Sequence, residues 1–115
     1  MARYTCSFCI SSPRDQILKL LHDTLEGCRL DVIYKSGDYI VAKETPGNVT
    51  FAQLVTVEIL IDTPDRAADR TGLHFIIKNE ELPLRQDNHC RKMSDLLSSS
   101  LNASGLLEPL SQVTG

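Results

Sequence analysis

The sequence predicts an α+β domain of two layers, a five-stranded antiparallel sheet with two helices packed on one face. Three observations carry this. Five segments alternate apolar and polar residues with period two, two segments carry apolar stripes at helical spacing, and the order along the chain is strand, helix, four strands, helix. The chain has 115 residues, room for one domain and no second. A chain of this size buries about two-thirds of its unfolded surface and folds without metal or disulfide. The domain is expected over residues 1–101, with a loose tail over 102–115.

The first strand is read at residues 4–11, with Tyr4, Cys6, Phe8 and Ile10 on one side and Thr5, Ser7 and Cys9 on the other. A helix start follows. Ser12 can cap the free amide groups, Pro13 suits the first turn, and Asp15 favours the positive end of the dipole. Ile17, Leu18, Leu21, Leu25 and Cys28 form its stripe, and Gly27 is the expected stop. Residues 30–34 and 39–44 read as a hairpin. A Ser36-Gly37 loop would set Tyr34 against Tyr39, Ile33 against Ile40 and Val32 against Val41.

Residues 45–48 supply a Pro-Gly turn. Residues 49–63 form a strand longer than usual, so a bend is expected near Ala52 and Gln53. A charged loop over 64–70 leads to the fifth strand at 72–79. Asp87 or Asn88 can cap the second helix, whose stripe is Cys90, Met93, Leu97 and Leu101, with Leu96 at its edge. Leu106, Leu107 and Leu110 in the tail are available to dock.

Strands two to five form a meander, and the first helix returns the chain so that strands one and two run the same way. Antiparallel pairing then gives the order 1-5-4-3-2. The face beneath the helices is expected to carry Phe8, Ile10, Val32, Val41, Val55, Val57, Ile59, Phe75 and Ile77. The open face should carry Thr5, Ser7, Cys9, Asp31, Ile33, Ile40, Ala42, Glu44, Thr56, Glu58, Leu60, His74, Ile76 and Lys78. Ile33, Ile40, Leu60 and Ile76 among those polar residues suggest an apolar patch that docks on another protein. The expected partner-binding set is Ile33, Ile40, Glu58, Leu60, His74, Ile76 and Lys78, with Glu80 and Glu81 on a polar recognition edge beside it. The bland alternatives are that the tail folds over this face or that its aliphatic residues are ordinary strand formers.

Composition narrows the function classes. Twelve Lys and Arg against fifteen Asp and Glu give a net charge of -3, where a phosphate-neutralising protein shows a basic excess. Trp is absent and aromatics are 5%, which leaves few platforms for stacking bases, so no nucleic-acid partner is expected. No apolar run is long enough to cross a bilayer. The start shows no signal-peptide pattern, and Cys6, Cys9, Cys28 and Cys90 read as free thiols, so a cytoplasmic location is expected.

Candidate chemistry is sparse. Cys6-x-x-Cys9 has a zinc or redox spacing, but residues three apart on a strand point to opposite faces. Convergence of Cys9, Cys28, His89 and Cys90 would require a different register. Cys90 sits in the first helical turn, where the dipole favours a thiolate, yet it also begins the apolar stripe and His89 lies on another side. Glu58 and His74 share the open face and would form an acid–base pair if directly opposed, although a flat face that excludes little water favours a surface ion pair. No phosphate loop, zinc-protease, nucleophile-elbow or calcium-loop pattern occurs, and no metal or cofactor is expected.

The opening Met1-Ala2-Arg3-Tyr4-Thr5-Cys6-Ser7-Phe8 and the stretches Gly37-Asp38-Tyr39, Pro46-Gly47-Asn48-Val49, Leu54-Val55-Thr56-Val57-Glu58 and Asn79-Glu80-Glu81-Leu82-Pro83-Leu84 resemble a family of small cyanobacterial and plastid proteins. Among that family are the peripheral V subunits of the photosynthetic NAD(P)H dehydrogenase-like complex. The resemblance covers residues 1 to about 101 and carries no catalytic motif or site residue. It implies a role at the photosynthetic apparatus, peripheral to the thylakoid membrane, on the arm where ferredoxin delivers electrons. The element order also resembles the TATA-box-binding-protein-like fold, from which only shape transfers, since the acidic balance argues against DNA.

The expected function is therefore a non-enzymatic module that docks on subunits of a larger complex through its open face. Two alternatives stand beside it. One is a small-ligand carrier or enzyme with a pocket between the sheet and the second helix near Cys90 and Tyr4. The other is a homodimer pairing sheet face to sheet face.

Overall fold

A computed structural model describes residues 2–11, 14–47, 49–65, 70–81, 88–103 and 113–114. The elements are β1 (Ala2–Ser11), α1 (Arg14–Gly27), β2 (Leu30–Ser36), β3 (Tyr39–Glu44), a 3-10 turn (Phe51–Gln53), β4 (Thr56–Asp65), β5 (Arg70–Asn79), α2 (His89–Ala103) and β6 (Val113–Thr114). The sheet runs β2-β3-β4-β5-β1-β6 and every pairing is antiparallel. The predicted five-strand order and α+β class are thus observed. One short strand is added, because Val113 and Thr114 pair with Ser7 and Cys6 on the outer side of β1.

The two helices cover one face, and the core forms where their stripes meet it. Ile17, Leu21, Leu25 and Cys28 of α1 and Cys90, Met93, Leu97 and Leu101 of α2 are all buried, as their spacing predicts. Leu96 lies at the edge of its stripe and is exposed. Beneath them lie Phe8 and Ile10 of β1, Val57 and Ile59 of β4, and Phe75 and Ile77 of β5. The Phe8 and Phe75 rings meet edge to face at 5.7 Å, a geometry their quadrupoles favour.

Helix ends are settled by local chemistry. Asn88 caps α2, its Oδ1 accepting from the Arg91 amide at 2.7 Å. Ser12, Pro13 and Asp87, the other predicted capping residues, lie outside the described residues. α1 ends at Gly27, the expected stop, but glycine is not the residue that takes the left-handed turn. Arg29 takes the left-handed conformation with φ 62, and its amide bonds the Glu26 carbonyl at 3.1 Å. Gly27 comes two positions too early for that role, so a residue with a Cβ bears a backbone cost of about 1–2 kcal/mol.

The hairpin differs from prediction by one residue. The loop is Gly37-Asp38, with glycine first and φ 49, so Ser36 pairs with Tyr39 and Lys35 with Ile40. A bulge at Ile33 then shifts the register by one, so that Val32 pairs with Ala42 and not with the expected Val41. Opposed residues share a face, and β3 sets Ile40 against Ile59 and Ala42 against Val57, so Ile40, Ala42 and Glu44 face the helices and are buried, while Val41 lies on the open face opposite Glu58. Val32 sits on the helix side of the edge strand, beyond helical cover, and is exposed. The bend expected near Ala52 and Gln53 is the 3-10 turn, after which β4 starts at Thr56.

Candidate interaction face

On the open face the register sets out rows of directly opposed residues. Val41, Glu58, Ile76 and Thr5 form one row across β3, β4, β5 and β1. Tyr39, Leu60, His74 and Ser7 form the next, and Lys43, Thr56, Lys78 and Arg3 a third. Glu58 and His74 are therefore diagonal neighbours and make no acid–base pair. Each is held by someone else. Tyr39 Oη donates to Glu58 Oε1 at 2.7 Å, and Lys78 Nζ lies 3.3 Å from Glu58 Oε2. The tyrosine hydrogen bond, aided by Lys78, holds the Glu58 carboxyl below the usual carboxylate range, and the same bond raises the Tyr39 hydroxyl above its usual value. His74 Nδ1 is 2.8 Å from Ser7 Oγ.

The predicted partner-binding residues divide cleanly. Ile33 and Leu60 are exposed at 55% and 46%, Ile76 is half-buried between Glu58 and Thr5, and Glu80 is exposed. Two do not belong to this surface. Ile40 is buried against the helices for the register reason given above. Glu81 turns inward, where its Oε1 accepts from Asn79 Nδ2 and from the Cys90 amide at the start of α2. Burial alone would raise its carboxyl, but hydrogen bonds from Asn79, the His89 and Cys90 amides and Gln53 outweigh that and hold it low. Glu81 is thus a negative group set on a helix N-terminus, linking β5 to α2. The rest of the predicted polar edge, residues 82–87, lies outside the described residues.

Three aromatic residues belong to this side and were not among the predicted contacts. Tyr34 and Tyr39 lean together with ring centroids 6.0 Å apart. Phe51, on the 3-10 turn, is 85% exposed. It stands at the mouth of a groove of about 670 Å³ whose lining includes Ile33, Lys43, Leu54, Thr56 and Lys78. The signal for that turn was present in sequence as Thr50-x-x-Gln53, the capping pattern. Gln53 Oε1 accepts from the Thr50 amide at 3.2 Å.

The cysteines stand apart. Cys6 is buried on the helix side and Cys9 lies half-buried on the other, as alternation requires. Cys28 Sγ is 3.8 Å from Ser100 Oγ, near the far end of α2 from Cys90. Burial raises the Cys6 and Cys28 thiols. Cys90 is fully buried, its thiol donates to the Ile77 carbonyl at 3.3 Å, and burial together with Glu81 pushes it up to about 12. It is a core thiol. Neighbouring His89 instead meets Glu44, with Nε2 2.8 Å from both carboxylate oxygens. Among the described residues, one group of possible metal ligands converges, His22, Asp23 and Glu26 on α1, and all three are exposed.

No helix among the described residues is long and apolar enough to cross a membrane. No protein-family model matches the chain, and comparison with the curated proteins finds no match.

Proposed function

We propose that the protein is a non-enzymatic docking module that seats its open sheet face on a subunit of a larger assembly. The observation that carries this is Leu60, a leucine in the middle of a central strand that is 46% exposed. It is flanked by Tyr39 and half-buried Ile76, with Phe51 and Ile33 at the groove beside them. Two polar groups on the face are engaged with neighbours, Glu58 with Tyr39 and Lys78, and His74 with Ser7. Glu58 and His74 stand among Val41, Leu60 and Ile76 with their hydrogen bonds already made, so a partner can cover the apolar residues without stripping a polar group of its bond. The sequence resemblance suggests the assembly, the photosynthetic NAD(P)H dehydrogenase-like complex at the thylakoid surface.

The test is recovery of that complex from solubilised thylakoids with tagged wild-type protein and with Leu60→Glu and Ile76→Glu. Leu60 lies outside the core, so Leu60→Glu should keep the wild-type melting temperature, whereas Ile76→Glu sets a second carboxylate opposite Glu58 and should lower it by a few degrees. Retrieval by the wild type and loss in both variants supports the reading. Failure of the wild type to retrieve the complex, or equal retrieval by the variants, overturns it.

A further inference from the structure

The open face is polarised along its strands. Lys43, Thr56, Lys78 and Arg3 make the row at one end, with Asp31 beside Lys43 at the sheet edge. Farther along β4, about 20 Å from Thr56, stands exposed Asp62, in a row with Gly72 and Cys9. Asp62 Cβ and His74 Nε2 both lie beside Gly72, so Asp62 belongs to this face. Between the ends lie Tyr34, Val41 and Ile76 in one row and Tyr39 and Leu60 in the next. Arg3 is directly opposite Lys78, a like-charge contact that an acid from outside would relieve. Neither Lys43 nor Asp62 makes an ion pair among the described residues. Asp31 is engaged by the Thr45 hydroxyl at 3.0 Å, and Glu80 lies past Lys78, outside the row. We propose that two copies of the chain pack these open faces together, strands antiparallel, in a reversible dimer that shields the docking surface while the protein is free. This pairing uses the face assigned above to docking and rests on that face being adhesive.

The charge layout selects both the occupant and its direction. Stacking two copies with strands parallel would set the lysine row on the partner's lysine row. Turning one copy end for end, about a two-fold axis across the strands between Glu58 and Leu60, sets each end on the other. Then β4 lies over the partner's β4, and the partner's Asp62 comes down over Thr56, between Lys43 and Lys78. The usual rotation of about 30° between stacked sheets moves it sideways by about one strand at that distance, onto one lysine or the other. Symmetry makes the contact twice. In the middle, Val41, Tyr39, Leu60 and Ile76 close over their counterparts, and Glu58 enters with its bonds to Tyr39 and Lys78 already made. Five strands about 4.8 Å apart over about 20 Å give roughly 500 Å² of plan area per copy. That is small beside the roughly 800 Å² per partner of a standard interface, so the dimer is weak and a larger assembly displaces the second copy.

Sedimentation equilibrium of the full chain, from micromolar to millimolar concentration, tests this. The expected result is a monomer–dimer equilibrium whose heavier species has twice the 12.8 kDa chain mass. Leu60→Glu should weaken the dimer about tenfold or more, since it sets a carboxylate over the partner's Glu58. Asp62→Lys sets an ammonium over the partner's lysine row, and Thr56→Glu sets a carboxylate beneath the partner's Asp62, so each should weaken the dimer severalfold. In its own chain Thr56→Glu stands between Lys43 and Lys78, and an unchanged thermal melt checks the fold of every variant. Asp62→Lys and Thr56→Glu combined should restore the dimer. Within one chain the two positions are about 20 Å apart, beyond the roughly 10 Å screening length of 0.1 M salt, so the rescue needs a second copy turned end for end. A chain that stays monomeric throughout, a dimer indifferent to Leu60→Glu, or single changes that the double does not rescue overturns the proposal. Docking is read separately by recovery of the assembly. A monomeric wild type that retrieves the complex removes the dimer alone, and a dimer that retrieves nothing removes docking alone.

Discussion

The centre of the sheet and its β2–β3 end are written in the same alternating pattern, yet they behave differently. β1 and β5 pair over ten residues without a break, from Ala2 opposite Asn79 to Ser11 opposite Arg70. The hairpin at the other end carries a turn displaced by one residue and a bulge that shifts its register partway along. In the centre, a strand is held by neighbours on both edges and by helices above, so its apolar face is chosen by burial. At the edge, β2 has one neighbour and little cover, and the turn chemistry of Gly37 decides the register instead. Alternation is therefore a reliable guide to facing where two sides constrain the strand, and an ambiguous one where a loop does.

The largest effect should come from breaking the centre. Phe75→Ala removes a buried ring packed on Phe8 and should cost about 3–5 kcal/mol in urea unfolding. The sharper test contrasts two isoleucines that the sequence placed on the same face. Ile40→Ala should cost about 2–4 kcal/mol, since Ile40 is buried, while Ile33→Ala should change unfolding by about 0.5 kcal/mol or less. Equal costs would mean that β3 does not turn Ile40 toward the helices.

Glu81→Ala should cost about 1–3 kcal/mol by leaving the Cys90 N–H and one of the two Asn79 amide N–H groups unpaired in a buried site, the other still donating to the Gln53 carbonyl. Its carboxyl is held below its ordinary value of 4.5, so its stabilisation is fully present above that pH and is lost as pH falls through the lower folded value. Acid titration of unfolding should show that loss in wild type and a smaller one in Glu81→Gln. Cys90 gives the opposite sign. Its folded thiol lies near 12 against an ordinary 9.0, so its contribution is present below pH 9 and declines as pH rises toward 12. Under native conditions at neutral pH, Cys90 should resist thiol reagents until the protein unfolds.

The smallest effect concerns the end of α1. Arg29→Gly should stabilise by about 1 kcal/mol, because glycine adopts the positive φ without a Cβ penalty. No gain in the urea midpoint would indicate that contacts of the Arg29 side chain offset the backbone strain.

Much of the architecture was legible because it rests on short-range patterns. The helical stripes, the Asn88 cap and the five-strand order all follow from spacing and turn residues. Leu60, Ile76 and Ile33 of the candidate face were found by simple alternation. The errors share a cause. Ile40, Glu44 and Glu81 were placed outward because polarity and parity were read locally. Glu44 is drawn inward by the Val55 amide, whose nitrogen lies 3.1 Å from its Oε1, and by His89, far away in sequence. Phe51 was assigned to a strand although Thr50 and Gln53 already spelled a capped turn.

By itself, then, the chain's spacing determined which segments are helix or strand, which side chains form the helical layers, and that one sheet face is left without a helix. Only the tertiary structure decided the parity of β3, the partners of Glu44, Glu58 and Glu81, and the place of β2 at the end of the sheet. Periodicity is a property of neighbours along the chain and is carried by each segment alone. Register, edge position and the pairing of a buried carboxylate depend on which distant segment arrives beside it, and that is settled when the layers close together.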